Sequence, residues 1–366
     1  MNLFTKILVS IITLFVIRGE VVKADVNNKT LAILVNENDP ESLEIARYYQ
    51  KARGIPAENI ISLNFKHNID ELSISEFNEI EMQLKERVDD EVQAYVLAWR
   101  KPWRVNCMSI TSAFTLGFNE SYCAKGCKLT KPVKYYNSPS GFPYRDHKIR
   151  PSMMLSGGSL QSVFKLIDNG VAADYTRPKG TAYLMSTSDK QRNVRMTYYP
   201  LIQNTLSNLF KIKTIEADAV KNANDVMFYF TGQEKVKWIS GNNFLPGAIA
   251  DHLTSTGGHL FDGSQMSIID WIDSGVTGSY GTVTEPCNFV QKFPNPAIVM
   301  QKYFSGDTLI ESYWKSVKMP GQGVFVGEPL AAPYKGCELK VDKNKRFFYA
   351  NMSVMNLVMK SSKKCH

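Results

Sequence analysis

The chain has 366 residues, of which 44% are hydrophobic and 21% are charged, and its formal net charge is +8. This length is within reach of one elaborated α/β unit with a large core. Apart from short clusters at 340–346 and 360–364, the basic residues are scattered. The chain therefore lacks the dense basic stripe of a nucleic-acid-binding protein, and no nucleic acid is expected as a partner.

The first 24 residues have the three-part layout of a secretory signal peptide. Lys6 supplies a positive charge, residues 7–17 form an apolar run, and Ala24 precedes Asp25. The run is too short for a membrane-spanning helix, which needs roughly 20 residues. We therefore predict cleavage after Ala24 and a periplasmic or secreted mature protein without a transmembrane segment. The alternative is an uncleaved anchor.

The mature chain opens with the pattern of a parallel sheet. Short apolar runs alternate with segments whose apolar residues have helical spacing, which predicts a right-handed βαβαβ unit. Ser73 or Ser75 is in place to cap the second helix. The strands are predicted at 31–36, 60–65 and 92–98, and the helices at 40–53 and 74–88.

A long excursion at about 101–152 interrupts this pattern. It is rich in Gly, Pro, Ser and Tyr and has no clear apolar period. Segments of this length within a compact domain are usually functional or locally cross-linked. The excursion is therefore predicted to be an insertion held by disulfides.

The six cysteines form an even count in an exported chain, which favours disulfides over free thiols. Because Cys107, Cys123 and Cys127 lie close together, we expect one bridge within the excursion. Cys287 and Cys337 are candidates for pinning the carboxyl-terminal part, and the full pairing stays open. No histidine lies at ligand spacing from Cys123 and Cys127, so no metal is expected. The cysteines are Cys107, Cys123, Cys127, Cys287, Cys337 and Cys365.

Regular patterns resume after the excursion and predict a three-layer α/β fold, with a mainly parallel sheet and helices on both faces. Residues 25–336 are predicted to form one domain. Residues 337–366 are predicted to form a β extension, with a hairpin appended to the main sheet. Strands are predicted at 180–186, 225–230 and 275–280, and helical segments at 159–169, 201–210, 243–260 and 267–273.

Ligands of doubly wound sheets bind beyond the carboxyl ends of the strands. The densest polar cluster near such ends predicts a site in which His252 is a general base and Asp251 or Glu285 orients it. Ser255 or a water would be the nucleophile. The alternative is that His252 caps a helix or bonds a loop carbonyl. The segments following strands are 36–39, 100–104, 187–195, 231–237 and 281–287.

The residues offer three further chemistries. Cys287 with His252 would be a nucleophile pair, but the even cysteine count favours a disulfide. Residues 189–195 are either an anion clamp or a solvated loop. The chain has no Gly-x-Ser-x-Gly elbow, phosphate loop or His-Glu-x-x-His motif, so no cofactor is expected.

Several long stretches resemble an uncharacterised family of exported bacterial proteins. The likeness begins with NENDPESLEIARYY at Asn36 and extends over about residues 31–334. It includes FLPGAIADHLTS from Phe244, GTVTEP from Gly281 and VGEPL from Val326. The family has no established activity, so the resemblance implies membership without a reaction.

The order of elements also resembles gingipain-type cysteine peptidases, which have a caspase-like fold. In those enzymes a histidine follows one strand and a cysteine follows the next. Here Thr231-Gly232-Gln233 holds the first place, and the strand end before Ala248 has no cysteine. The resemblance thus implies a caspase-like layout from which both catalytic residues have been lost.

Two classes of function follow from these patterns. One is a peptidase-like hydrolase that uses His252 as its general base. The other is a non-catalytic periplasmic or secreted binding or structural protein on a degenerate caspase-like fold. In that second class His252 and Glu285 hold loops together, and the excursion contacts a protein or peptide partner.

Overall fold

A computed structural model of the chain describes residues 26–124, 126–346 and 359–365. The predicted signal peptide, with its cleavage after Ala24, lies outside the described residues, as do residues 347–358 of the predicted extension. In the described ranges, no helix combines the length and apolar character needed to cross a membrane.

The strands and helices are numbered in chain order. The strands are β1 (Leu31–Asn36), β2 (Ile60–Leu63), β3 (Glu71–Leu72), β4 (Ala94–Leu97), β5 (Arg104–Val105), β6 (Met108–Ser109), β7 (Ser152–Met154), β8 (Thr181–Ser186), β9 (Lys211–Glu216), β10 (Val226–Thr231), β11 (Phe244–His252), β12 (Gly278–Thr282), β13 (Gly323–Gly327), β14 (Cys337–Arg346) and β15 (Met359–Cys365). The helices are α1 (Pro40–Arg53), α2 (Ile74–Arg87), α3 (Ile110–Leu116), α4 (Pro143–His147), α5 (Leu160–Ala173), α6 (Tyr199–Leu206), α7 (Ile269–Asp273), α8 (Pro296–Phe304) and α9 (Leu309–Ser316).

The central element is a ten-stranded sheet in the order β2-β1-β4-β7-β13-β12-β11-β10-β8-β9. Every neighbouring pair is parallel except β12 and β13, which are antiparallel. Helices pack around the sheet, for example α1 and α5 against each other and α5 against β11. The predicted α/β class with a mainly parallel sheet is therefore confirmed.

The single antiparallel pair divides the sheet into two parallel halves that run in opposite directions. One half contains β2, β1, β4, β7 and β13, and the other contains β12, β11, β10, β8 and β9. The carboxyl ends of the strands therefore lie at two opposite edges. As a result, the candidate segments at 36–39 and 100–104 lie at one edge, and those at 187–195, 231–237 and 281–287 lie at the other.

The first βαβαβ unit forms where the sequence predicts it, because its helix signals are local. Asp39 caps α1 by accepting a hydrogen bond from the Glu41 amide at 3.0 Å. α1 ends at Gly54, whose φ of 60° is easily adopted without a side chain. α2 begins with a capping box between Ser73 and Glu76. These caps fix both helix starts at the predicted residues.

The largest correction to the predicted elements concerns residues 243–260. They were expected to be helical, but they contain the nine-residue strand β11. β11 lies between β10 and β12 in the sheet and is buried over most of its length. A strand buried on both faces lacks the polar and apolar alternation of an exposed strand, so its sequence is easily read as a helix.

Other elements were absent from the prediction or differ from it. The sequence patterns did not predict strands β9 and β13 or helices α8 and α9. The carboxyl-terminal hairpin forms as β14 and β15, which pair with each other in a separate two-stranded sheet. The predicted carboxyl-terminal hairpin is therefore present, but its described strands do not extend the main sheet as expected.

Candidate functional site

The predicted catalytic residues Asp251 and His252 are the last two residues of β11. Successive side chains of a strand point to opposite faces of the sheet. The two side chains accordingly have different surroundings: Asp251 contacts Arg195, and His252 contacts Trp271. The strand geometry thus separates the predicted base from one of its two predicted orienting carboxylates.

The His252 ring is enclosed in the core, with only 1% of the residue exposed. Its Nδ1 accepts a hydrogen bond from the Trp271 indole at 2.9 Å, and its Nε2 lies 3.0 Å from the Met266 carbonyl oxygen. These partners assign the proton to Nε2. Burial lowers the pKa of His252 to about 4, so the ring is neutral at pH 7. Because both nitrogens are engaged, this geometry does not favour the predicted role of general base.

Asp251 and Arg195 form a buried ion pair. The Asp251 side chain is 1% exposed and the Arg195 side chain is 2% exposed. Arg195 also donates a hydrogen bond to the Thr231 carbonyl oxygen at 2.7 Å. The guanidinium therefore joins the ends of β10 and β11 beneath the surface. In such a pair each buried charge is compensated by the opposite charge of its partner. Asp251 is thus paired with Arg195, and within the described residues no hydrogen bond joins its side chain to His252.

Ser255 and Glu285, the other two predicted residues, line one pocket of about 390 Å³. The pocket lies beyond the carboxyl ends of β8, β11 and β12, which is where parallel sheets bind ligands. Its size is within the range of small-molecule sites. The lining residues are Cys127, Gln191, Arg192, Leu253, Thr254, Ser255, Glu285, Cys287 and Asn288.

Two stretches singled out in the sequence form adjoining walls of this pocket. The Thr282 hydroxyl donates to the carbonyl oxygens of Thr254 and Ser255, at 3.1 and 2.9 Å. A Cβ placed on Gly258 would lie 2.6 Å from the Gly281 carbonyl oxygen, a distance that real side chains do not tolerate. The glycines therefore allow the loop after β11 to lie directly on β12.

Arg192 supplies a positive charge to the pocket and comes from the predicted clamp segment at 189–195. Its Nη1 bonds Asp189 at 2.7 Å, and its Nε donates to the Thr254 hydroxyl at 3.1 Å. Its Nη2 lies 4.0 Å from Glu234, which is beyond hydrogen-bond length. Asp189 and Thr254 thus orient the Arg192 guanidinium, and its Nη2 can still donate a hydrogen bond to a ligand.

Glu285 supplies a negative charge to the same pocket. Its Oε1 accepts a hydrogen bond from the Cys287 amide at 2.7 Å. The backbone carbonyl oxygen of Glu285 accepts a hydrogen bond from the Gln322 side chain at 2.9 Å, which holds the loop after β12 in place. The Glu285 residue is exposed. The pocket therefore presents fixed groups of both signs.

Disulfides connect the excursion to this pocket. Cys107 and Cys123 are bonded to each other, which confirms the predicted bridge within the excursion. Cys127 is bonded to Cys287, and both line the pocket. Cys287 is therefore not a thiol nucleophile, and the alternative pairing with His252 does not occur. Cys337 is disulfide-bonded as well.

Removing the Cys127–Cys287 bridge is expected to loosen the pocket wall. The bridge joins residues 160 apart, whereas Cys107–Cys123 joins residues 16 apart. In a double Cys→Ser variant of the first pair, exchange of the amide hydrogens of residues 285, 287 and 288 should rise by about tenfold or more. The matched variant of the second pair should leave these residues near wild type. Equal loosening by both variants would contradict this role.

No cluster of three or more His, Cys, Asp or Glu side chains suitable for a metal ion occurs within the described residues.

Comparison with known proteins finds similarity among solved structures. No family model and no curated protein matches the chain. Among solved structures, one described as a protease matches with 10% sequence identity and a TM-score of 0.44. The match covers 86% of this chain and 81% of the protease chain.

Proposed function

We propose that this chain is an exported binding protein without hydrolytic activity, and that it binds a small polar ligand in the pocket formed by Arg192, Thr254, Ser255 and Glu285. The observation that carries the proposal is the separation of His252 from Ser255. The histidine has both ring nitrogens bonded inside the core, whereas Ser255 lines a pocket at the surface.

A serine hydroxyl needs a base within about 2.6–3.2 Å to become a nucleophile. In the described part of the chain, no histidine is hydrogen-bonded to Ser255. The segments that follow β10 and β11, residues 232–237 and 253–258, contain neither histidine nor cysteine. A surface pocket whose serine has no base beside it suits binding.

Export is supported by the amino-terminal sequence and by the disulfides. Disulfides persist in oxidising compartments, and Cys107, Cys123, Cys127 and Cys287 are all bonded. A periplasmic or secreted location fits both features. A soluble polar ligand would reach the pocket directly in either compartment.

The test is ligand binding by the mature chain from Asp25. A panel of amino acids, short peptides, sugars and nucleotides would be screened by thermal shift, and hits would be measured by calorimetry. Arg192→Gln and Glu285→Gln should each weaken a pocket ligand by about tenfold or more. Arg47→Gln and Glu58→Gln, at exposed positions outside the pocket, are matched controls and should bind like wild type.

Two results would contradict the proposal. One is a ligand whose affinity falls equally in the pocket variants and the controls. The other is turnover of a peptide or ester by the wild type that Ser255→Ala abolishes without lowering the melting temperature. The second result would restore the hydrolase hypothesis.

A further inference from the structure

The pocket carries opposite charges on groups that are already oriented by the protein. Arg192 is held by Asp189 and Thr254, and Glu285 is held by the Cys287 amide. Within the described residues, Oε2 of Glu285 accepts no hydrogen bond, and Nη2 of Arg192 donates none. Each charged group thus has a remaining polar edge for a ligand, and little further ordering is needed to bind one.

A pocket with both a positive and a negative group has a lower affinity for ligands whose charges all have the same sign. A phosphate or other polyanion would meet Glu285 and the neighbouring Asp189, and a polyamine would meet Arg192. Unpaired or like charges brought together in a partly desolvated site reduce affinity. A ligand with one carboxylate and one ammonium group satisfies both sides. Within the described residues, Nη2 is the Arg192 nitrogen that donates no hydrogen bond to the protein, and it can donate a charge-assisted hydrogen bond to that carboxylate.

The rest of the lining suits the middle of such a ligand. Gln191, Thr254, Ser255 and Asn288 are neutral residues whose side chains donate and accept hydrogen bonds, as peptide groups require. Leu253 and the Cys127–Cys287 disulfide add apolar surface. This combination of neutral hydrogen-bonding groups, some apolar area and two charges is the chemistry of a short peptide with free ends.

We infer that the pocket binds short peptides through their two free termini, with the carboxylate at Arg192 and the ammonium group at Glu285. This inference rests on the proposed binding function and names its ligand class. It assigns Arg192 and Glu285 to different ends of the ligand, so each residue has its own chemical test.

The experiment measures calorimetric binding of dialanine and trialanine to the mature chain, together with their amino-acetylated and carboxyl-amidated forms. In the wild type, each block should weaken binding of the better peptide by about tenfold or more. In Arg192→Gln, amidation should have no further effect, whereas acetylation should still weaken binding. In Glu285→Gln the pattern should be reversed. Comparing free and blocked peptides in both wild type and variant forms a thermodynamic cycle. This cycle isolates each contact from any general loss of affinity.

Loss of folding and loss of peptide binding can be told apart. The melting temperature of each variant, compared with Arg47→Gln and Glu58→Gln, shows whether the pocket variants stay folded. Failure of both peptides to bind, or equal binding of blocked and free forms, would overturn the inference about peptide termini. The broader proposal would survive either result if another polar ligand binds and depends on Arg192 and Glu285.

Discussion

Replacing Asp251 with alanine is expected to lower the free energy of unfolding by about 3–5 kcal/mol. The substitution would leave the Arg195 guanidinium buried without its carboxylate, since the two side chains are 2% and 1% exposed. The buried guanidinium would have lost its hydration and would keep only hydrogen bonds to carbonyl oxygens, with no opposite charge to compensate it. Urea denaturation at pH 7 measures this loss. The catalytic prediction for Asp251 expects instead a variant of normal stability that lacks activity.

Two further variants separate the buried pair from ordinary surface effects. Asp189→Ala breaks the ion pair between Asp189 and Arg192. The Asp189 side chain is 21% exposed and the Arg192 side chain is 24% exposed. Its cost should be no more than about 1 kcal/mol, because solvent screens such pairs. The double variant Arg195→Met with Asp251→Leu removes both charges and should recover most of the lost stability. A loss below about 1 kcal/mol in Asp251→Ala would contradict the structural role.

Acidification from pH 6.5 to pH 4 is expected to remove about 3 kcal/mol of stability through His252 alone. Burial lowers the pKa of His252 to about 4 in the folded protein, and an unfolded histidine titrates near 6.5. Between these values the unfolded chain binds a proton that the folded chain does not. The stabilising contribution is therefore complete above pH 6.5 and is lost as the pH falls toward 4.

The measurement is the unfolding free energy of wild type and His252→Gln as a function of pH. The variant lacks the titrating ring, so its curve should be flatter than that of wild type by the stated amount. It should also be less stable at pH 7, because the Trp271 indole and the Met266 carbonyl lose their partner. His259→Gln, at a side chain that is 21% exposed, is the matched control. Parallel curves for wild type and His252→Gln would show that folding does not change the pKa of His252, and would contradict this prediction.

The sequence by itself determined the elements whose signals are local. β1, α1, β2, α2 and β4 lie within a few residues of their predicted positions, because each helix has a cap and each strand is a short apolar run. The even cysteine count predicted disulfides, and the clustering of three cysteines predicted one bridge within the excursion, which the structure forms between Cys107 and Cys123. These features depend on neighbours within one or two dozen residues.

Part of the candidate site was also predictable. The rule that ligands bind beyond strand ends singled out the segments containing Arg192 and Glu285, and the polar cluster after β11 singled out Ser255. These three residues do line one pocket. The rule did not reveal that Asp251 and His252 are enclosed in the core, since their burial depends on contacts with Arg195 and Trp271, which come from other elements of the fold.

Only the tertiary structure decided the identity of β11, the opposite directions of the two sheet halves and the pairing of Cys127 with Cys287. A strand enclosed on both faces has no alternating pattern to distinguish it from a buried helix. The direction of each half depends on which strands pair across the sheet, and β13 joins strands of the first half from near the end of the chain. Such long-range pairing leaves little trace in any short window of sequence, yet it determines which side chains meet in the pocket and which are sealed beneath it.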